Sequence, residues 1–166
     1  DQVRLHETDS ETAQRIIDVD LMGVFYAMKH QLPLLMQRYS ETGETTNIVN
    51  VASAAGLMGS PKLAAYAAAK HGVVGLTRSA AIEYGTKGVR VNAVCPAFAK
   101  TRMVTDLLDG SPKGREVAEA RLVANNPMGR LGEIDEVVQA MVWICSPENG
   151  FFNGQALSID GGLTSF

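Results

Sequence analysis

Tyr66 and Lys70 stand four residues apart, a spacing that puts two side chains on one face of a helix. A free phenol, with a pKa of about 10, is a poor base at neutral pH. An ammonium one turn away stabilises the phenolate, so such a pair could move a proton. The same spacing also fits a core-edge tyrosine beside a solvated lysine. Ser53, thirteen residues before Tyr66, adds to the proton-transfer reading. Its hydroxyl could hold a substrate oxygen while Tyr66 transfers the proton. By itself Ser53 reads as a turn residue or a helix cap. A hydrolase with Ser53 as nucleophile and Lys70 as base is a weaker alternative, because no G-x-S-x-G elbow surrounds the serine.

The surrounding pattern must position these residues. Thr8 and Glu11 have the spacing of a capping box. Ile16, Ile17, Leu21, Val24, Phe25, Met28 and Leu32 then recur with helical period. Pro33 should kink that helix or end its regular part, and Glu41 to Thr46 reads as loop. Ile48 to Val51 is a buried strand running into the turn Ser53 to Gly56. A second helix is predicted from Ala64 to Tyr84, with Gly85 and Gly88 as stop signals. Val89 to Val94 is a strand closed by Pro96. Residues 99–132 show no single period and read as a mobile lid or an irregular surface segment. Ile134 to Cys145 is a third helix, with Ile134, Val137, Val138, Met141 and Val142 on one side. Ala156 to Ile159 is the last strand.

Strands alternating with helices predict an α/β chain with a parallel sheet. In such sheets ligands sit beyond the carboxyl ends of the strands. Three clusters fall there: Ser53 to Gly56, Pro96 to Thr101, and Asp160 to Gly162.

Composition bounds the rest. The 166 residues are 46% hydrophobic and 20% charged, an ordinary globular mixture with enough apolar residues for one core. A net charge of -3 argues against nucleic-acid binding, since no basic excess exists to displace counterions. Cys95 and Cys145 do not suggest a disulfide framework, so a reducing, cytoplasmic setting is expected. His6, His30 and His71 are not at metal-ligand spacing, and no metal is expected. The polar start, Asp1 to Arg15, reads as neither signal nor transit peptide, and no apolar run is long enough for a membrane span.

Four segments together carry a specific resemblance: Ile48-Val-Asn-Val-Ala-Ser-Ala-Ala-Gly56, Tyr66-Ala-Ala-Ala-Lys70, Arg90-Val-Asn-Ala-Val-Cys-Pro96 and Asp160-Gly-Gly162. In order and spacing the chain resembles the short-chain dehydrogenase/reductase family, and does so over nearly its whole length. The resemblance implies one catalytic domain over residues 1–166. Its fold would be the C-terminal part of a Rossmann-like doubly wound sheet, three layers in αβα order. It implies an NAD(P)-dependent oxidoreductase acting on a small alcohol or carbonyl. Tyr66 would be the general acid or base, with Ser53 on the substrate oxygen. Lys70 would support the phenolate and bond the nicotinamide ribose. Pro96, Ala97, Phe98 and Thr101 would receive the cofactor, which is NAD or NADP. Helices matching Ser10 to Pro33 and Ala64 to Tyr84 pack against their copies in the family, and the third helix and last strand form another contact, implying a homodimer or homotetramer.

Three departures from the family pattern stand out. Asp20 occupies the position of an Asn that helps to hold a water in a proton relay, and an ionised carboxylate cannot donate a hydrogen bond. Ala97 replaces a Gly, which matters only if φ is positive there. No G-x-G-x-x-G phosphate loop occurs in the chain, so only the last three strands of the family's sheet are expected, with an edge exposed near Ile48. A truncated, non-catalytic module that survives by oligomerising is therefore the alternative. Met58, Phe98, Met103 and Leu107 are candidates for an apolar substrate pocket, or equally for core and lid packing.

Overall fold

A computed structural model describes residues 3–165. Asp1, Gln2 and Phe166, the ends of the expected 1–166 span, lie outside the described residues. Helix α1 (Ser10–Ile17) runs through a π-helical turn (Asp18–Met22) into α2 (Gly23–Thr42). Then come β1 (Thr46–Val51), a 3-10 turn (Ala54–Gly56), α3 (Ala64–Tyr84) and β2 (Val89–Pro96). Helices α4 (Arg102–Asp109), α5 (Arg115–Leu122) and α6 (Ile134–Cys145) precede β3 (Ala156–Ile159). The strands form one parallel sheet in the order β1-β2-β3, with Val51 level with Val94 and Pro96 level with Ile159. No helix of the described residues is long and apolar enough to cross a membrane.

β2 is the central strand, and its residues alternate between two layers. Val89, Val91, Ala93 and Cys95 pack with Met28 and Leu32 of α2 and with Val73, Val74, Ala80 and Ala81 of α3. Arg90 and Asn92 point the other way, where the Arg90 guanidinium donates to the carbonyls of Ile144 and Ser146 at 3.0 and 3.3 Å and of Phe152 at 3.0 Å. Those carbonyls belong to the C-terminal end of α6 and the loop beyond it. This gives the expected three-layer order.

Some local expectations need correction. The cap of α1 is Asp9, whose carboxylate accepts from the Thr12 N–H at 2.8 Å; Thr8 instead donates to the Arg4 carbonyl. The Thr12 N–H also holds the Asp9 carboxyl below the usual carboxylate range. Pro33 does not end α2, which continues to Thr42 and takes the start of the expected loop into the helix. Lys29 and Pro33 are both exposed, so the carbonyl that Pro33 leaves unbonded can turn to water. Residues 99–132 contain two eight-residue helices rather than a continuous irregular segment. The expected apolar side of α6 is split. Val137 and Met141 are half-buried, while Ile134, Val138 and Val142 are exposed, and the fully buried residue of the helix is Ile144.

Candidate active site

Lys70 is the centre of the site. It lies on α3 with its side chain only 11% exposed, because α3 packs on β2 and on the π-turn. Its Nζ donates to the Val51 carbonyl at 3.4 Å and sits 3.1 Å from an Asp20 carboxylate oxygen. It also lies 5.5 Å from the Tyr66 ring centroid, one helical turn back. Two of its three N–H groups are thus used, and the third has no partner among the described residues.

Asp20 reaches Lys70 through the π-turn. Gly23 N–H bonds the Asp18 carbonyl, five residues back, which widens the helix and shifts the following residues around its axis. Leu21, beside Asp20, lies over Gly72, where an added Cβ would meet the Leu21 methyl at 2.7 Å. The absent side chain at Gly72 therefore lets the π-turn approach α3. Nothing in the residue pattern marks a π-turn, so the direct Asp20–Lys70 contact was not foreseen.

Ser53 follows β1 in extended conformation and caps the Ala54–Gly56 turn, its Oγ accepting from the Ala55 N–H at 3.2 Å. The cap uses a lone pair and leaves the hydroxyl proton without a partner among the described residues. Gly56 fixes the turn against α3. A Cβ there would stand 2.7 Å from the Lys70 carbonyl oxygen, so only glycine permits this approach. Beneath the turn, burial pushes the Cys95 thiol above its ordinary pKa, and the Ser53 backbone N–H partly offsets this.

Pro96 ends β2, and the Ala97 N–H bonds the Ile159 carbonyl at 3.3 Å. Ala97 is not at positive φ. The left-handed residue is the next one, Phe98, at φ 45°. The methyl of Ala97 therefore brings no backbone strain, and the strained position carries an aromatic ring. Thr101 stands at the N-cap of α4 without a side-chain cap bond, so its hydroxyl is uncommitted. On α4, Leu108 is buried, while Met103 is 77% and Leu107 49% exposed. These two do not serve core packing. Met58 and Phe98 are half-buried.

The third cluster differs. The Asp160 carboxylate accepts from the N–H groups of Gly162 and Thr164, both at 3.0 Å, and from the Thr164 hydroxyl at 2.6 Å. Gly161 and Gly162, at φ 63° and 88°, close the turn against Asn126 and Pro127. Asp160 is a turn anchor and has little left to offer a ligand.

Asp20, Tyr66 and Lys70 are thus linked by direct contacts, and Ser53 heads the turn whose Gly56 lies against the Lys70 backbone. Pro96 to Thr101 leave the neighbouring strand at the same sheet edge. The residues fit a nicotinamide dinucleotide in their chemistry: a buried ammonium with a spare N–H lies at the end of β1, and the Thr101 hydroxyl, without a partner among the described residues, follows the end of the neighbouring strand β2.

Comparisons with known proteins establish the family. A family model described as enoyl-(acyl carrier protein) reductase matches residues 1–164. The chain is 39% identical over 159 residues to cyclohexanol dehydrogenase of Acinetobacter sp. (strain SE19), covering 96% of this chain and 57% of that one. It superimposes on levodione reductase with a TM-score of 0.90 at 32% identity, covering 99% of this chain and 62% of that one. On ElxO with NADP bound the TM-score is 0.88, also at 32% identity, with 98% and 62% covered. The chain spans about three fifths of the length of the relatives it matches. With the family model covering nearly the whole chain and the motifs where the fold needs them, the chain belongs to the short-chain dehydrogenase/reductase family.

Proposed function

We propose that this chain is the catalytic part of an NAD(P)-dependent oxidoreductase that interconverts a small secondary alcohol and its ketone. The observation that carries the reading is the buried Lys70 ammonium beside Tyr66, with one N–H still free. Residues 1–166 would act as one domain.

When bound, NAD or NADP would supply or accept the hydride. The residues of this chain do the rest. Ser53 donates its free hydroxyl proton to the substrate oxygen and fixes its direction. Tyr66 gives a proton to that oxygen during reduction and takes it back during oxidation. Lys70 stabilises the phenolate and offers its spare N–H to a ribose hydroxyl. Asp20 holds Lys70 in place. Pro96, Ala97 and Phe98 form the backbone ledge for the nicotinamide, and the Thr101 hydroxyl meets its carboxamide or phosphates. Met103 and Leu107, exposed on α4, offer apolar contact to the substrate.

Ile134, Val138, Val142 and Trp143 expose apolar surface along α6. That surface supports assembly into a homodimer or homotetramer. It equally suits the second reading, a non-catalytic module that functions through such contacts.

Tyr66→Phe decides between the two. It removes one oxygen from a half-buried side chain that makes no hydrogen bond among the described residues. NAD(P)H-linked turnover should fall by about 10²- to 10⁴-fold while the oligomer and its stability persist. Unchanged turnover would exclude Tyr66 as the proton-transfer group. Assembly without any cofactor binding would favour the module.

A further inference from the structure

Among the described residues, the only non-glycine positions with positive φ are Lys62 and Phe98, at 65° and 45°. Both lie on loops that leave the sheet at its carboxyl edge, Lys62 after β1 and Phe98 after β2. At Lys62 the backbone forms a tight turn. The Leu63 N–H bonds the Ser60 carbonyl at 3.1 Å, and Pro61, second of the four residues, keeps a negative φ. A positive φ at the third position then makes a type II turn, where glycine is the favoured residue. Elsewhere the chain gives such backbone to glycine, as at Gly43 and Gly88. A lysine at position 62 therefore costs the fold strain that glycine would not.

No contact within the fold offsets that strain. Lys62 is exposed, and its ammonium has no partner among the described residues. The other cations of the loops and helix ends at this edge are committed. Lys70 lies 3.1 Å from Asp20, Lys100 pairs with Glu133, and Arg102 lies 3.6 Å from Asp106. Lys62 also precedes Tyr66 by four residues, on the loop that leads into α3 rather than on the loop after β2, where the cofactor is placed. We infer that Lys62 is a specificity-determining residue that meets an anionic group of the substrate. The substrate is then a ketone or secondary alcohol bearing a carboxylate, or a like charge, away from the reacting carbon. The inference deepens the proposed function and rests on it for where the substrate lies. Because the ammonium is exposed, the contact is open to screening by salt.

The test reads binding rather than turnover. Two methyl-ketone acids of different length, 4-oxopentanoate and 6-oxoheptanoate, are titrated by NMR against their neutral methyl esters. The titrations are run with and without oxidised NAD or NADP, with which a ketone cannot react. At least one acid should bind about three- to tenfold more tightly than its ester, and the difference should shrink at high salt. Lys62→Met keeps the strained backbone and removes the charge, so it should erase the difference, while Lys62→Arg should keep it. Lys62→Gly should erase it too and should raise the urea midpoint, because glycine suits the turn. Acids that bind no better than their esters, or do not bind at all, overturn the inference. So does a lower midpoint for Lys62→Gly, which would make the side chain a support of the fold. Lys62→Met that weakens NADPH affinity in place of acid affinity also overturns it, since the anion met would then be a cofactor phosphate. The proton-transfer reading fails separately, by unchanged turnover in Tyr66→Phe.

Discussion

The two ends of the sheet treat buried polar groups in opposite ways. Beside α6 and β3, polar groups close on the protein itself. Asn92 donates to the Phe152 carbonyl and accepts from the Gln155 N–H. Asn126 donates to the Asp160 carbonyl and accepts from the Met128 N–H. Arg90 fills three carbonyls and leaves only its Nε without a partner. Around Lys70, by contrast, capacity is left over: the hydroxyls of Tyr66 and Thr101, the hydroxyl proton of Ser53 and one ammonium N–H have no partner among the described residues. Satisfied groups of this kind hold a fold together, whereas groups held in place but unsatisfied are ready for a ligand.

That contrast can be broken most forcefully at Arg90. Arg90→Met leaves the carbonyls at the end of α6 without donors, and should lower stability by about 3–5 kcal/mol in urea unfolding. Gly56→Ala tests the other end. Its methyl meets the Lys70 backbone rather than a yielding side chain, so it should cost about 1–3 kcal/mol and weaken NADH binding in calorimetry by displacing Lys70. If it weakens neither, the close approach of Gly56 is not what positions Lys70.

The smallest effect is expected on the rim. Arg130 pairs with Glu136 through two bonds of 2.7 and 2.8 Å, and with the Glu133 N–H this lowers the Glu136 carboxyl to about 2 from an ordinary 4.5. A depressed carboxyl stabilises the fold above its unfolded pKa. That contribution should fade as pH falls from about 4.5 toward 2, and Glu136→Gln should flatten the stability curve in that window. An unaltered curve would mean that solvent already screens the pair.

Much of this was legible where a single physical signal dominated. The bounds of α3 followed from its glycine stops and those of β3 from a short stretch ending before Asp160-Gly-Gly162, and the motif residues fell at the strand ends where parallel sheets bind ligands. Pro33 misled because its cost depends on whether the freed carbonyl reaches water, a tertiary fact. The outward row on α6 misled because periodicity gives a stripe but not which of its edges meets the sheet. Residues 99–132 hid two helices because each is only eight residues long, too short for a clear period, and a single glycine cluster lies between them. Ala97 raised a question that only φ could answer, and the answer moved the strain to Phe98.

The π-turn before α2 also sets the phase of that helix. A turn of five where four would do amounts to one additional residue in an otherwise α-helical run. Loss of one codon within Asp18–Met22 would let α1 and α2 join as a single regular helix and rotate everything on one side of the join by about 100°. The carboxylate at position 20 and the apolar row from Val24 to Leu32 could then not both keep their present neighbours. The spacing between charge and core is written into the length of the chain as much as into its composition, so relatives differing by a single-residue gap here should differ in chemistry even where every motif is intact.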